Sequence, residues 1–257
     1  MTLSEISADP AAELRAAGCV FAEEEAALIV AEAAGADDLR RMVGERVAGR
    51  PLEQVLGWAE FDGLRIVVAP GVFVPRRRSR LLVDLAAERA TGLEHAVVVD
   101  LCCGTGALAA AVLARVPTAE MYAADLDPDA VACARRNLPG DRVLQGDLFE
   151  ALPDGLRGRV DVLMVNAPYV PTDAIATMPP EARDHEHRVA LDGGADGLDL
   201  QRRVIDNAGD WLAPGGELVI ETGRHQVSGT SAAMASAGLV PDVHTLAELD
   251  AVAVRGR

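Results

Sequence analysis

The chain has 257 residues, half of them hydrophobic, which suits one large domain or a compact domain with a small appendage. Forty acidic against 24 basic side chains give a formal net charge of −16, which repels phosphate backbones and argues against a nucleic-acid partner. No apolar run approaches the ~18 residues of a membrane helix. The acidic start "MTLSEISADPAAEL" lacks the layout of a signal peptide. Cys19, Cys102, Cys103 and Cys133 have neither paired spacing nor a nearby histidine, so the expectation is reduced thiols in a cytoplasmic protein without a metal.

Residues 1–50 are rich in Ala and Glu. "SADPAAELRAAG", "FAEEEAALIVAEAAG" and "DDLRRMVGERVAG" each read as a short helix closed by glycine, giving a small helical N-terminal domain. Residues 51–75 change character. "LRIVVAP" and "GVFVP", separated by Pro-Gly, predict a β-hairpin linker. "RRRSRLLVDLAAERA" opens a third unit, 76–257, with a helix spaced on Leu81, Leu82, Leu85 and Ala86.

From residue 96 strands and helices alternate: "AVVVDL", "GALAAAVLARV", "AEMYAADL", "DPDAVACARRNL", "DRVLQGDL", "VDVLMVN", "LDLQRRVIDNAGDWL", "GGELVIET", then the weaker helix "QVSGTSAAMASAG". The chain ends on the strand-like "DVHTL" and "DAVAVRG". The fold class is therefore α/β: a mostly parallel sheet covered on both faces, with an antiparallel pair at one edge. Residues 170–197 show no clear structure, and long loops in compact domains are often lids.

Ligands of such sheets bind at the carboxyl ends of the strands, so the strand tips carry the functional reading. The first tip is Asp100, followed by Cys102-Cys103-Gly104-Thr105-Gly106 and a helix. The glycines permit positive φ and close approach of a ligand, although a purely structural turn reads the same way. Asp125 ends the second strand and is placed to accept both hydroxyls of a ribose, while Asp127, before Pro128, fills the N-cap role. Asp147 ends the third and either accepts from an adenine amino group or caps a helix, with Leu148 and Phe149 available to cover the ring. Asn166-Ala167-Pro168-Tyr169 ends the fourth.

This order resembles the class I S-adenosylmethionine-dependent methyltransferases, a Rossmann-like fold. The tetrapeptide is similar to the Asn-Pro-Pro-Tyr motif of amino-group methyltransferases. The resemblance implies that a planar nitrogen is held by the Asn166 side-chain oxygen and the Ala167 carbonyl, while the Tyr169 ring stacks on it. Catalysis would then be positioning plus electrostatics. Ala167 replaces a proline, yet the acceptor implied there is a main-chain carbonyl, and Pro168 still holds Ala167 extended.

"RPLEQVLGWAEFDGLRIVVAPGVFVPR" and "RVALDGGADGLDLQRRVIDNAGDWLAPGGELVIETG" narrow the resemblance to the HemK/PrmC family of protein-(glutamine-N5) methyltransferases, which modify the Gly-Gly-Gln motif of peptide release factors. It implies S-adenosyl-L-methionine as cofactor, held by Asp100, residues 102–106, Asp125, Asp147, Leu148 and Asn166, and a release factor-like protein partner. The resemblance also implies that the helical start corresponds to that family's substrate-docking domain. The family's Pro-Arg-Pro-x-Thr-Glu element reads Pro75-Arg76-Arg77-Arg78-Ser79-Arg80 here, and positive charge at a helix start calls for a carboxylate partner, in the protein or on a substrate. The family's Glu-Pro pair reads Glu186-His187, with His185 and His187 expected to be ordinary loop residues. The alternatives are an N-methyltransferase of a small-molecule amide or amine and a non-catalytic binding module. A DNA adenine methyltransferase shares the tetrapeptide but conflicts with the charge.

Overall fold

A computed structural model describes residues 9–257; residues 1–8, the start of the expected helical unit, lie outside them. The Ala/Glu segments form α1 (Pro10–Ala16), α2 (Ala22–Glu32) and α3 (Ala36–Val47). Asp9 caps α1 by accepting from the Ala11 N–H at 3.1 Å, with Pro10 at the first helical position, where its missing N–H costs nothing. A further helix, α4 (Leu52–Leu56), brings Val55 into a core with Leu14, Ile29, Leu39, Met42 and Val43.

The hairpin is not where the Pro-Gly signal put it. It pairs β1 (Trp58–Phe61) with β2 (Leu64–Val67), and the turn is Asp62-Gly63. Both turn residues have positive φ (52° and 78°), the conformation whose twist suits a two-residue hairpin. "GVFVP" is not a strand of this hairpin. Gly71 (φ 81°) instead bridges Glu186, and its bare Cα faces His187, whose ring would lie 2.2 Å from a Cβ.

The remaining elements are α5 (Arg80–Thr91), β3 (Val97–Leu101), α6 (Ala107–Arg115), β4 (Glu120–Asp125), α7 (Pro128–Ala134), β5 (Val143–Gln145), β6 (Val160–Val165), α8 (Pro180–His185), α9 (Asp199–Ala208), β7 (Leu212–Glu221), α10 (Val227–Ser236), β8 (Pro241–Leu246) and β9 (Ala251–Gly256). Seven strands form one sheet in the order β5-β4-β3-β6-β7-β9-β8. The first five run parallel; β9 is antiparallel to β7 and β8 antiparallel to β9. The expected antiparallel pair therefore lies at the edge. Apolar clusters cover both faces, one around Leu82, Val98 and Val112, the other around Leu163, Val165 and Ile205. β3 is buried along its whole length, which is why "VVVDL" reads as an unbroken apolar run closed by one acid.

Two further expectations change in detail. "DRVLQGDL" supplies a strand of only three residues before a 3₁₀ turn at Leu148–Ala151. Residues 170–197 are not structureless: they hold 3₁₀ turns at Thr172–Thr177 and Arg188–Ala190 with α8 between them. The segment is tied down at α8. Arg46 of α3 reaches Glu25 and Glu181, both at 2.6 Å, and the Gln54 amide donates to the carbonyls of Val72 and His185.

Asn137, just beyond α7, joins three parts of the chain. Its Oδ1 accepts from the Val67 N–H at 2.8 Å, and its Nδ2 donates to the carbonyls of Val67 and Thr105 at 3.0 and 2.9 Å. Truncation strips the Val67 N–H and the Thr105 carbonyl of this partner and leaves the Val67 carbonyl with the Cys133 thiol at 3.3 Å. Asn137→Ala is expected to lower the unfolding free energy by about 1–3 kcal/mol in urea denaturation. A variant as stable as its parent would show that these bonds are not a structural tie.

Candidate active site

The chain leaves β3 towards β4 and β5, then returns to β6 on the other side of β3. That reversal opens a crevice at the carboxyl ends of β3 and β6. A cavity of about 550 Å³ occupies it. Cys102, Cys103, Gly104, Thr105, Asp125, Asp147 and Leu148 line one part, and Asn166, Ala167, Pro168 and Tyr169 line another. Two expected residues stand outside the lining, Asp100 and Gly106.

The loop after β3 contains three left-handed residues, Cys102 (φ 59°), Gly104 (54°) and Gly106 (75°). Their reasons differ. A Cβ on Gly104 would meet nothing within 4 Å, because the cavity lies there, whereas one on Gly106 would sit 2.7 Å from Leu138 Cδ1. Gly106 therefore serves packing between the loop and α7. Asp125 braces the loop: its Oδ2 accepts from the Gly104 N–H at 2.8 Å and its Oδ1 from the Asp127 N–H at 2.9 Å. Burial raises its pKa. Burial, with the charges of Asp125 and Asp100 adding, also pushes the thiols of Cys102 and Cys103 well above their usual range.

Asp147 pairs with Arg203 through one oxygen at 2.8 Å. Leu148, at φ 50°, faces the cavity. Phe149, expected to cover a ring there, instead stacks on Trp211 with centroids 5.5 Å apart. The turn at Leu148 sends adjacent side chains to opposite sides.

At the tip of β6, the Asn166 Nδ2 donates to Ser79 Oγ at 3.2 Å. Among the described residues nothing donates to its Oδ1 or to the Ala167 carbonyl. The Tyr169 hydroxyl accepts from Arg78 Nη2 at 2.6 Å and donates to Glu221 Oε1 at 3.4 Å. Burial and the Glu221 charge raise its pKa, so the phenol stays neutral. The backbone beyond packs without slack on a glycine turn. A Cβ on Gly197 would fall 2.2 Å from the Tyr169 carbonyl oxygen, which the buried Gln226 Nε2 also reaches at 2.9 Å.

Three of the four arginines of the cluster find carboxylates within the protein. Arg76 grips both oxygens of Glu186 (2.6 and 2.8 Å), Arg78 meets Glu221 at 3.1 Å, and Arg80 lies 3.5 Å from Asp62. His187, expected to be a loop residue without a catalytic role, touches Asp127 Oδ2 through Nδ1 at 2.6 Å, a contact between the 170–197 segment and a residue lining the cavity. With Asp129 these two bring three ligand-type atoms within 4.8 Å.

Sequence reasoning did not single out Ser79, Glu221 or Gln226. Glu221 had a signal: it ends "ELVIE" as Asp125 ends "EMYAAD", an acid at a strand tip.

Residues 63–180 match the methyltransferase small domain family. A release factor glutamine methyltransferase from Mycolicibacterium smegmatis is 36% identical over 230 residues, 82% of this chain and 80% of that protein. The chain belongs to the release factor glutamine methyltransferase (HemK/PrmC) family. It covers somewhat less than two thirds of the family members matched at 40% and 43% identity, namely 66% and 65% of their length. A 4-amino-L-phenylalanine/4-methylamino-L-phenylalanine methyltransferase from Streptomyces pristinaespiralis is 36% identical over 203 residues, 76% of this chain and 69% of that protein. A methyltransferase from Pyrococcus furiosus shares the fold, with a TM-score of 0.54 at 16% identity over 76% of this chain and 88% of that one.

The cofactor of this HemK/PrmC chain is S-adenosyl-L-methionine, and the residues present fit it. Gly104 leaves open space, each Asp125 oxygen keeps a lone pair for a hydroxyl, and Asp147 keeps one oxygen free of Arg203. Asp100, fully buried with neither oxygen hydrogen-bonded, lies behind the loop.

Burial, with the charge of Asp125 adding, pushes the Asp100 pKa from 3.8 up to about 8. Between about pH 4 and about 8 the folded chain holds a proton that the unfolded chain releases, so this residue makes stability fall as pH rises through that window. Asp100→Asn, which cannot ionise, is expected to exceed its parent in stability at pH 8 and to differ least near pH 4, read from denaturant midpoints. Parallel pH profiles of the two proteins would refute the assignment.

Proposed function

We propose that the chain transfers a methyl group from S-adenosylmethionine to the side-chain amide nitrogen of a glutamine in a protein of the peptide release factor kind. Bound in the crevice, the cofactor supplies an electrophilic methyl on a positively charged sulfur. The protein has to present a nitrogen whose lone pair is delocalised and therefore weakly nucleophilic.

One observation carries the reading. Among the described residues nothing donates to Asn166 Oδ1 or to the Ala167 carbonyl, and both residues line the cavity that also holds the glycine loop. Two acceptors suit the two N–H bonds of a primary amide, and fixing both directs the lone pair. Tyr169, neutral and anchored, offers its face to the flat group. Asp125 accepts ribose hydroxyls, Asp147 an amino group, and Leu148 packs on a ring. Most of the acceleration is positioning, so no strong base is needed before attack. We place the protein in the cytoplasm, in keeping with four free cysteines; among the described residues no helix is long and apolar enough to cross a membrane. The helices up to Leu56 form the docking unit in this proposal.

A second reading, N-methylation of a small-molecule amine, draws on the relative that acts on 4-amino-L-phenylalanine and on the lid that roofs the acceptor end with Met178, Val189 and Leu191. Labelled S-adenosylmethionine and a cell extract separate the two: label in a protein of release-factor size supports the first, label in the metabolite fraction the second. Asn166→Ala is expected to lower transfer about 10²-fold while cofactor affinity is kept. Unchanged transfer by that variant would remove Asn166 from the chemistry.

A further inference from the structure

Residues 77–79 form a short 3₁₀ turn that opens α5, and two consecutive side chains of it reach opposite ends of the tetrapeptide after β6. Ser79, 2% exposed, takes the Asn166 Nδ2 hydrogen at 3.2 Å. Arg78 donates to the Tyr169 hydroxyl at 2.6 Å. Glu221 completes the second contact. Its Oε1 lies 3.1 Å from Arg78 Nε and 3.4 Å from the Tyr169 hydroxyl, so the three groups close a triangle. Val165 stands opposite Ile220 in the sheet, which sets Asn166 and Glu221 side by side at the next position.

We propose that Arg78 and Ser79, with Glu221 behind them, are positioning residues for methyl transfer: Ser79 holds the plane of the Asn166 carboxamide, and Arg78 with Glu221 fixes the plane of the Tyr169 ring. The proposal rests on the function given above.

A carboxamide is nearly symmetric in shape, so its oxygen and nitrogen exchange places by a half-turn about the terminal bond. An acceptor nitrogen with two N–H bonds requires the oxygen. The Ser79 hydroxyl can donate as well as accept, so it holds the plane of the group rather than choosing its end; with Nδ2 on Ser79, Oδ1 is the end left without a donor among the described residues. A tyrosine ring likewise turns about its stem unless its far end is held. Arg78 holds it from one side and the buried Glu221 from the other. The arrangement is rigid because α5 behind it is anchored by Leu81, Leu82 and Leu85, buried against the sheet.

The chain has three asparagines, Asn137, Asn166 and Asn207, and two tyrosines, Tyr122 and Tyr169. Labelling with ¹⁵N-asparagine and 3-fluorotyrosine therefore gives few resonances, each assigned by a single substitution. Ser79→Ala is expected to move the Asn166 side-chain amide pair and leave Tyr169 in place. Arg78→Met is expected to move the Tyr169 fluorine line and leave Tyr122 in place. In methyl-transfer assays on the acceptor that the labelling experiment finds, each variant is expected to lose about tenfold in kcat, the scale of modest misplacement. The affinity for S-adenosylmethionine stays within about twofold, because neither contact belongs to the cofactor loop. Ser79→Thr keeps the hydroxyl and should recover kcat, as should Arg78→Lys in part.

Resonances that stay in place in both variants would overturn the proposal. So would resonances that move while kcat holds. If the wild-type protein methylates no acceptor and the resonances still move, the functional reading falls while the two contacts stand.

Discussion

The cavity depends on one constraint: five neighbouring strands run the same way through a sheet buried on both faces. Parallel strands cannot be joined by tight turns, so every connection crosses a face and every carboxyl end emerges on one edge. Residues from distant parts of the chain then meet without any local preference for doing so. Asp125 and Glu221 end β4 and β7, Asp147 and Asn166 follow β5 and β6, and all four stand at the same edge of the sheet. The same rim concentrates backbone strain. Cys102 and Leu148 adopt left-handed angles unfavourable to side chains, and a sheet packed with Val98, Val99, Leu163 and Val165, all without solvent contact, holds them there.

Much of this was legible in the sequence because strand and helix periods are local. The alternation from residue 96, the Asp-Pro starts at Asp9 and Asp127 and the polar breaks at strand tips all correspond to observed elements. The hairpin went astray because two turn signals competed. Pro70-Gly71 looked the stronger, but Asp62-Gly63 supplies two consecutive positive φ angles between strands of equal length. Residues 170–197 carry no period, and their order comes from contacts such as Arg76 with Glu186 and Gln226 with the Asp196 carbonyl.

The site was legible by position and obscure by partnership. A strand tip announces that Asn166 faces the crevice. Nothing in "VNAPYV" records that its amide meets Ser79, 87 residues earlier in the chain. The arginine run shows the same limit. Its charges called for carboxylates, and only the fold identifies them as Glu186, Glu221 and Asp62. Gly104 and Gly106 look alike in the sequence, yet one clears space for a ligand and the other for Leu138.

The suppressed acidity of the Cys102 and Cys103 thiols bears on self-inflicted damage. A methyl sulfonium is an alkylating agent, and a sulfur anion outcompetes an amide for it by a wide margin. Only the deprotonated form attacks. Burial and the charges of Asp125 and Asp100 keep both sulfurs, which line the cavity, as thiols, so under the function proposed above they do not compete for the methyl of the donor.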